Sequence, residues 1–238
     1  MGTVGTVTST TAAHVRDNSS LTAGVEKRLL VWIAQRLPRA VNPDHLSALG
    51  LSSMALAGLA FTAFRVTPWA ALGVCLALTA NWFGDSLDGT LARVRRQQRP
   101  RYGFYVDHII DIAGTTLMVA GMACSGLMNP LVAGAVLAGF LLVSSESYLA
   151  THASGVFRMS FVGFGPTELR LLIMAGVVRA AFDPLVAPFG AAPVRLFDLG
   201  GIAAAMGLVI AFAVAAVRNT RALYLAEPLP KPDEGRAA

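Results

Sequence analysis

Between residues 81 and 111 the chain reads NWFGDSLDGTLARVRRQQRPRYGFYVDHIID, and four aspartates, Asp85, Asp88, Asp107 and Asp111, fall there in two pairs. Asp85, Asp88 and Ala92 recur at i, i+3 and i+7. Gly103, Asp107 and Asp111 recur at i, i+4 and i+8, so each set shares one face of a helix. Two neighbouring antiparallel helices can then aim all four carboxylates at one point. An ionised side chain at a bilayer's centre costs about 2.5–3.5 kcal/mol, and apolar runs flank both pairs, so the four need partners. Arginines such as Arg93 can pair with them, in a structural role, or the acids can line a cation path. Alternatively, divalent cations bind them. Oxygen donors suit Mg²⁺ or Mn²⁺, and two ions about 3.5–4 Å apart can share such ligands, clamp a diphosphate and stabilise a phosphoryl displacement. The nearby arginines lie in a loop that reaches water and need no buried partner, which favours the cations. Gly89 removes a side chain where a ligand could approach the backbone.

The elements that must position these residues are membrane helices. Of 238 residues, 55% are hydrophobic and 14% charged, against roughly 25% charged in a soluble domain. The apolar residues come in blocks long enough to cross a bilayer, which takes about 20 residues. The pattern predicts an all-α polytopic bundle of six transmembrane helices, roughly 44–64, 68–93, 103–124, 129–152, 166–187 and 196–222. Ahead of it, Leu21, Val25, Leu29, Trp32, Ile33 and Leu37 recur at helical spacing, with Lys27, Arg28, Arg36 and Arg39 largely elsewhere. That is an amphipathic helix for the cytoplasmic interface, although the same pattern suits a helix packed on protein. The expected organisation is a disordered tail (1–20), the interfacial helix (21–40), one six-helix membrane domain (41–224) and a short tail (225–238).

Arginines set the expected orientation. Arg93, Arg95, Arg96, Arg99 and Arg101 cluster between the second and third spans, and Arg218, Arg221 and Lys231 follow the last. The positive-inside rule puts that loop, both termini and the aspartates at the cytoplasmic face. The net charge of +5 has this explanation, and no basic face with aromatic presentation speaks for nucleic acid. Cys75 and Cys124 lie in apolar runs and read as packing residues.

The stretches DSLDGTLAR and GFYVDHIID resemble the signature of the CDP-alcohol phosphotransferase (CDP-alcohol phosphatidyltransferase) family, D-x2-D-G-x2-A-R, a spacer, then G-x3-D-x3-D. Asp85, Asp88, Gly89, Ala92, Arg93, Gly103, Asp107 and Asp111 stand at its eight fixed positions. The spacer VRRQQRPRY is slightly longer than usual and falls in a loop, where length is tolerated. Pro43, Asp44 and Ser47 are similar to the family's P-N-x-x-T start of the first span, with Asp for Asn. The resemblance implies six membrane helices, a cytoplasmic interfacial helix, a homodimer and two metal ions held by Asp85, Asp88, Asp107 and Asp111. It implies that Asp111 is the general base and that Gly89, Ala92, Arg93 and Gly103 help seat the CDP group. The implied reaction joins a CDP-linked alcohol to a second alcohol and releases CMP.

Residues 146–170 offer Glu146, Tyr148, His152, Arg158, Glu168 and Arg170 near the same face, and Arg158 and Arg170 could hold an anionic acceptor. The expected reaction moves a phosphatidyl group from CDP-diacylglycerol to a polyol or polyol phosphate. One alternative is a CDP-headgroup donor with a diacylglycerol acceptor, as GPTE and the Asp107–His108 pair suggest. Another is a non-enzymatic divalent-cation transporter, which would need carboxylates along a path across the bilayer. A prenyltransferase also uses aspartate-rich helices, but the D-G-x2-A-R stretch argues against it.

Overall fold

Prolines set many of the helix starts. The computed structural model describes residues 23–154, 165–190, 192–227 and 229. Four of the seven helices among them begin on proline: α2 (Pro43–Ala63), α4 (Pro100–Cys124), α5 (Pro130–Ser154) and α6 (Pro166–Phe182). The ring's fixed φ suits the first helical position, where the missing N–H has no helical partner anyway. The others are α1 (Ala23–Arg36), α3 (Ala70–Val94) and α7 (Leu196–Ala226). Helices α2, α3, α4, α5 and α7 are long and apolar enough to cross a membrane. At 17 residues, α6 sits at the short end of the spanning range. The chain is thus the helical membrane bundle expected, with α1 ahead of it.

The fifth expected span, 166–187, is corrected at its end. Helix α6 stops at Phe182, Asp183 turns extended, and Pro184 cannot continue a helix. Two short strands, β1 (Leu185–Val186) and β2 (Val194–Arg195), pair antiparallel around a 3₁₀ turn at Pro188–Gly190. The Arg179 side chain donates to the Asp183 and Leu185 carbonyls and holds the turn to the helix end. The expected N-terminal tail and the helix start at Leu21 lie outside the described residues.

Helix α2 is the hub of the bundle. It packs along both α3 and α4, whereas α3 and α4 scarcely touch each other. Small residues allow the close approach. A Cβ on Gly84 of α3 would come within 2.6 Å of the Leu46 carbonyl and 2.8 Å of Gly50 N, and one on Gly121 of α4 within 2.1 Å of the Gly58 carbonyl. Around the Gly58–Gly121 crossing lies the main core, with Phe61, Val74, Leu78, Met118, Val119 and Met122 buried together with Val177 of α6. A second cluster joins Leu30 and Ala34 of α1 to Leu46 of α2 and Leu87 and Leu91 of α3. Helix α1 therefore packs on protein, yet Leu29 and Trp32 remain exposed on it. Helix α5 packs on α4, α6 on α3, and α7 mainly on α5.

Candidate active site

The two aspartate pairs lie on α3 and α4, toward the ends joined by the basic loop. The expectation that these helices are direct neighbours is corrected. Helix α2 lies against both and provides the floor, so the carboxylates border a gap between α3 and α4 rather than a packed seam. From that floor Ser47 Oγ donates to an Asp88 oxygen at 2.6 Å, and Gly89 N–H donates to the other. Asn81 Nδ2, one turn before Asp85, donates to the Gly50 carbonyl at 3.0 Å. The Ser47–Asp88 and Asn81–Gly50 bonds reinforce the Gly50–Gly84 crossing and so set the rotation of α3.

Asp88 lies within coulombic reach of Asp85 on its own helix and Asp107 on α4. Tyr148 of α5, across the gap's other side, lies within reach of both Asp107 and Asp111. Its ring meets the edge of His108, centroids 5.0 Å apart, and His108 Nδ1 lies 2.6 Å from the Phe104 carbonyl. Asp85, Asp88 and Asp107 are partly buried and Asp111 exposed. The acids thus face one region but do not converge on a point. Among the described residues no three acidic, histidine or cysteine side chains are gathered closely enough to make a ready cage for an ion.

One partner is a guanidinium. Arg170 of α6 donates through Nη2 to Asp85 at 2.6 Å and through Nε to Asn81 Oδ1 at 2.8 Å. Both members of the ion pair are largely shielded, with 15% and 28% of their side-chain surfaces exposed. The sequence places Arg170 on the acceptor side, and the structure places it on a carboxylate. Of the other candidates there, Glu146 accepts from Asn219 of α7 at 2.6 Å, Glu168 caps its own helix through Gly165 N–H at 3.0 Å, His152 is exposed, and Arg158 lies outside the described residues.

Of the remaining signature residues, Gly89, Ala92 and Arg93 lie in the last turns of α3 and Gly103 in the first turn of α4. A Cβ on Gly89 would meet the Arg93 guanidinium at 3.4 Å, so this glycine leaves room where Arg93 folds back. Arg93 also donates to Thr90 Oγ1 at 3.0 Å. Ala92 is partly buried, and Gly103 is exposed with open space where a side chain would project. The loop arginines have structural partners that sequence reasoning missed. Arg95 donates to the carbonyls of Leu37, Pro38 and Val41, tying down the α1–α2 link. Arg99 pairs with Asp44, and this hydrogen bond raises the already high pKa of the guanidinium. Asn42, Pro43, Asp44, Gln97, Gln98 and Arg99 line an open cleft of about 350 Å³, which includes none of the four aspartates.

As a donor set the four carboxylates suit hard divalent cations, since all ligand atoms are oxygens. To serve them, Asp85 can keep Arg170 on one oxygen and offer the other, while Asp88 must share itself with Ser47 and the Gly89 N–H.

A helical bundle with apolar helices long enough to cross a membrane, and with acids on two of them beside a glycine-held crossing, defines the class: an integral membrane protein. The chain belongs to the CDP-alcohol phosphatidyltransferase family, whose model matches residues 41–217, and is thus a transferase of phosphate-containing groups. The phosphatidylinositol phosphate synthase of Mycobacterium tuberculosis, solved with CDP-DAG bound, has a similar fold, with a TM-score of 0.53 at 20% sequence identity over 86% of this chain and 100% of that one. No curated protein matches the sequence.

Proposed function

We propose that this chain transfers a phosphatidyl group from CDP-diacylglycerol to the hydroxyl of a polyol or polyol phosphate, releasing CMP. The observation that carries the reading is the placement of Asp85, Asp88, Asp107 and Asp111 around one gap floored by α2. The CDP-DAG bound to the mycobacterial synthase supports the choice of donor. The reading takes residues 41–224 as the catalytic unit, consistent with the family match over 41–217, and a homodimer as the assembly. The loop arginines support a cytoplasmic site with both termini on that side.

In this mechanism Asp111 accepts the proton of the acceptor hydroxyl, which is a weak nucleophile until then. The alkoxide oxygen attacks the phosphorus carrying the diacylglycerol, the bond from that phosphorus to the CMP oxygen breaks, and CMP leaves with the bonding pair. Gly89 and Ala92 leave space for the cytidine beside α3, Gly103 does the same at the start of α4, and Arg93 faces its phosphates. From its place beside Asp85, Arg170 can meet an anionic acceptor with its remaining N–H groups, and Arg158 is proposed to share that task. Two Mg²⁺ or Mn²⁺ ions held by Asp85, Asp88, Asp107 and Asp111 would neutralise the diphosphate.

The test offers purified protein in detergent labelled CDP-diacylglycerol with a panel of polyols and polyol phosphates, with and without chelator. The expected result is CMP release that needs one acceptor and is abolished by chelator. CMP release only from a CDP-headgroup with diacylglycerol would reverse donor and acceptor. Cation flux in liposomes without any CMP release would favour the transporter reading.

A further inference from the structure

Helix α3 carries two adjacent ridges, offset by one residue, and each is held by a charge from a different helix. Asn81 and Asp85 form the first, and the Arg170 guanidinium of α6 bridges them. Trp82 and Ser86 form the second. Both donate to a single oxygen, Oε1 of Glu26 on α1, from Trp82 Nε1 at 2.8 Å and Ser86 Oγ at 3.5 Å. The same oxygen accepts a third bond, from Thr167 Oγ1 on α6 at 3.2 Å. Thr167 stands three residues before Arg170, close to one turn, so the two reach the same side of their helix.

Helices α1 and α6 each pack on α3 but scarcely on each other. The Glu26–Thr167 bond is therefore a direct tie between two elements with little else in common. Apolar packing of Leu30 and Ala34 against Leu87 and Leu91 already holds α1 to α3, and such packing tolerates small slides. A carboxylate taking three donors from two helices does not, because charged hydrogen bonds are stronger and directional. Hence Glu26 fixes where the start of α6 sits along α3.

We propose that Glu26 is a positioning residue of the active site: its carboxylate locks α6 against α3 so that Arg170 meets Asp85 and Asn81. The amphipathic helix outside the signature then takes part in shaping the signature's first aspartate. This inference rests on the functional reading above for its catalytic consequence, but not for the link between Glu26 and Arg170.

The experiment compares full-length wild type, Glu26→Ala, Glu26→Gln, Arg170→Gln and the Glu26→Ala/Arg170→Gln double variant, purified in detergent. Thermal unfolding midpoints and CMP release are both measured. Glu26→Ala should lower kcat on the order of 10- to 100-fold, the scale of a misplaced catalytic group, with little change in KM for the CDP donor. Glu26→Gln should recover part of that loss, since its amide oxygen accepts the same three donors. The double variant should be no slower than Arg170→Gln alone, and its unfolding midpoint should fall by less than the sum of the two single losses, because residues that act through one another are not additive. Additive losses overturn the proposal. So does a Glu26→Ala protein that unfolds earlier but turns over at the full rate, as a purely structural contact would give. If the wild type releases no CMP from any donor, the functional reading fails, and the unfolding midpoints alone then decide: non-additivity supports the Glu26–Arg170 link and additivity ends it.

Discussion

The trio α2, α3 and α4 and the pair α5 and α7 bring helices together by opposite means. In the trio, backbone meets backbone at Gly50–Gly84 and Gly58–Gly121, and side chains from α2 and α3 then bond across the crossing. In the pair, side chains fill the gaps. Leu208 of α7 sits over Gly139 of α5, and Met128 and Val132 sit over Gly201. A polar clasp, Glu146–Asn219, also ties the pair. In α3, 44% of the apolar stretch is buried inside the protein, against 6% in α7, so α7 lies on the outside of the bundle. Glycine contacts cannot slide without a clash, whereas side-chain contacts can repack. Rigidity is concentrated where the aspartates are, and adaptability where the bilayer is.

The sharpest break in this contrast is chemical. Asp111→Asn should reduce CMP release by roughly 10²–10⁴-fold, the range for a lost general base, while the protein still inserts and elutes as wild type does on size exclusion. Next, Gly121→Leu should prevent recovery of folded protein, because its Cβ alone would overlap the Gly58 carbonyl. Detergent-extracted yield and monodispersity measure it, and a well-behaved variant would show that the crossing is looser than the backbone implies. In the lipid-facing pair the same kinds of change should matter less. Asn219→Ala, which removes the polar clasp, should cost about 0.6–1.7 kcal/mol in reversible unfolding, as membrane hydrogen bonds do. Smallest of all, Gly134→Ala and Gly207→Ala meet nothing within 4 Å. Each should leave stability unchanged or raise it by up to about 1 kcal/mol through helix propensity.

The acidic faces of α3 and α4 were legible because helical period alone determines which residues share a side. The same period cannot name the neighbour that side meets. Hence the sequence suggested α3 against α4, and the structure seats both on α2. Ser47 illustrates the limit, since its resemblance to a family position was visible but its bond to Asp88 was not. Arg170 lies 85 residues from Asp85, and an arginine near a loop carries no mark of the acid it will meet. Glu26 was hidden more deeply. One acid in a basic amphipathic stretch reads as a solvated charge, and only the fold reveals three donors around it. The hairpin after α6 was visible only as proline and glycine, which announce a break but not its shape.

The length of α7 has a consequence of its own. Its 31 residues extend about 46 Å at 1.5 Å per residue, while a bilayer's hydrocarbon is about 30 Å thick. About ten residues must tilt or emerge, and Arg218 and Arg221 favour the headgroups for the last turns. Asn219 stands between them, so its partner Glu146 is drawn to the same level, where an acid costs far less than at mid-membrane. Through that bond and the packing of α7 along α5, the surplus turns act as a float for the depth at which α5 rides in the lipid.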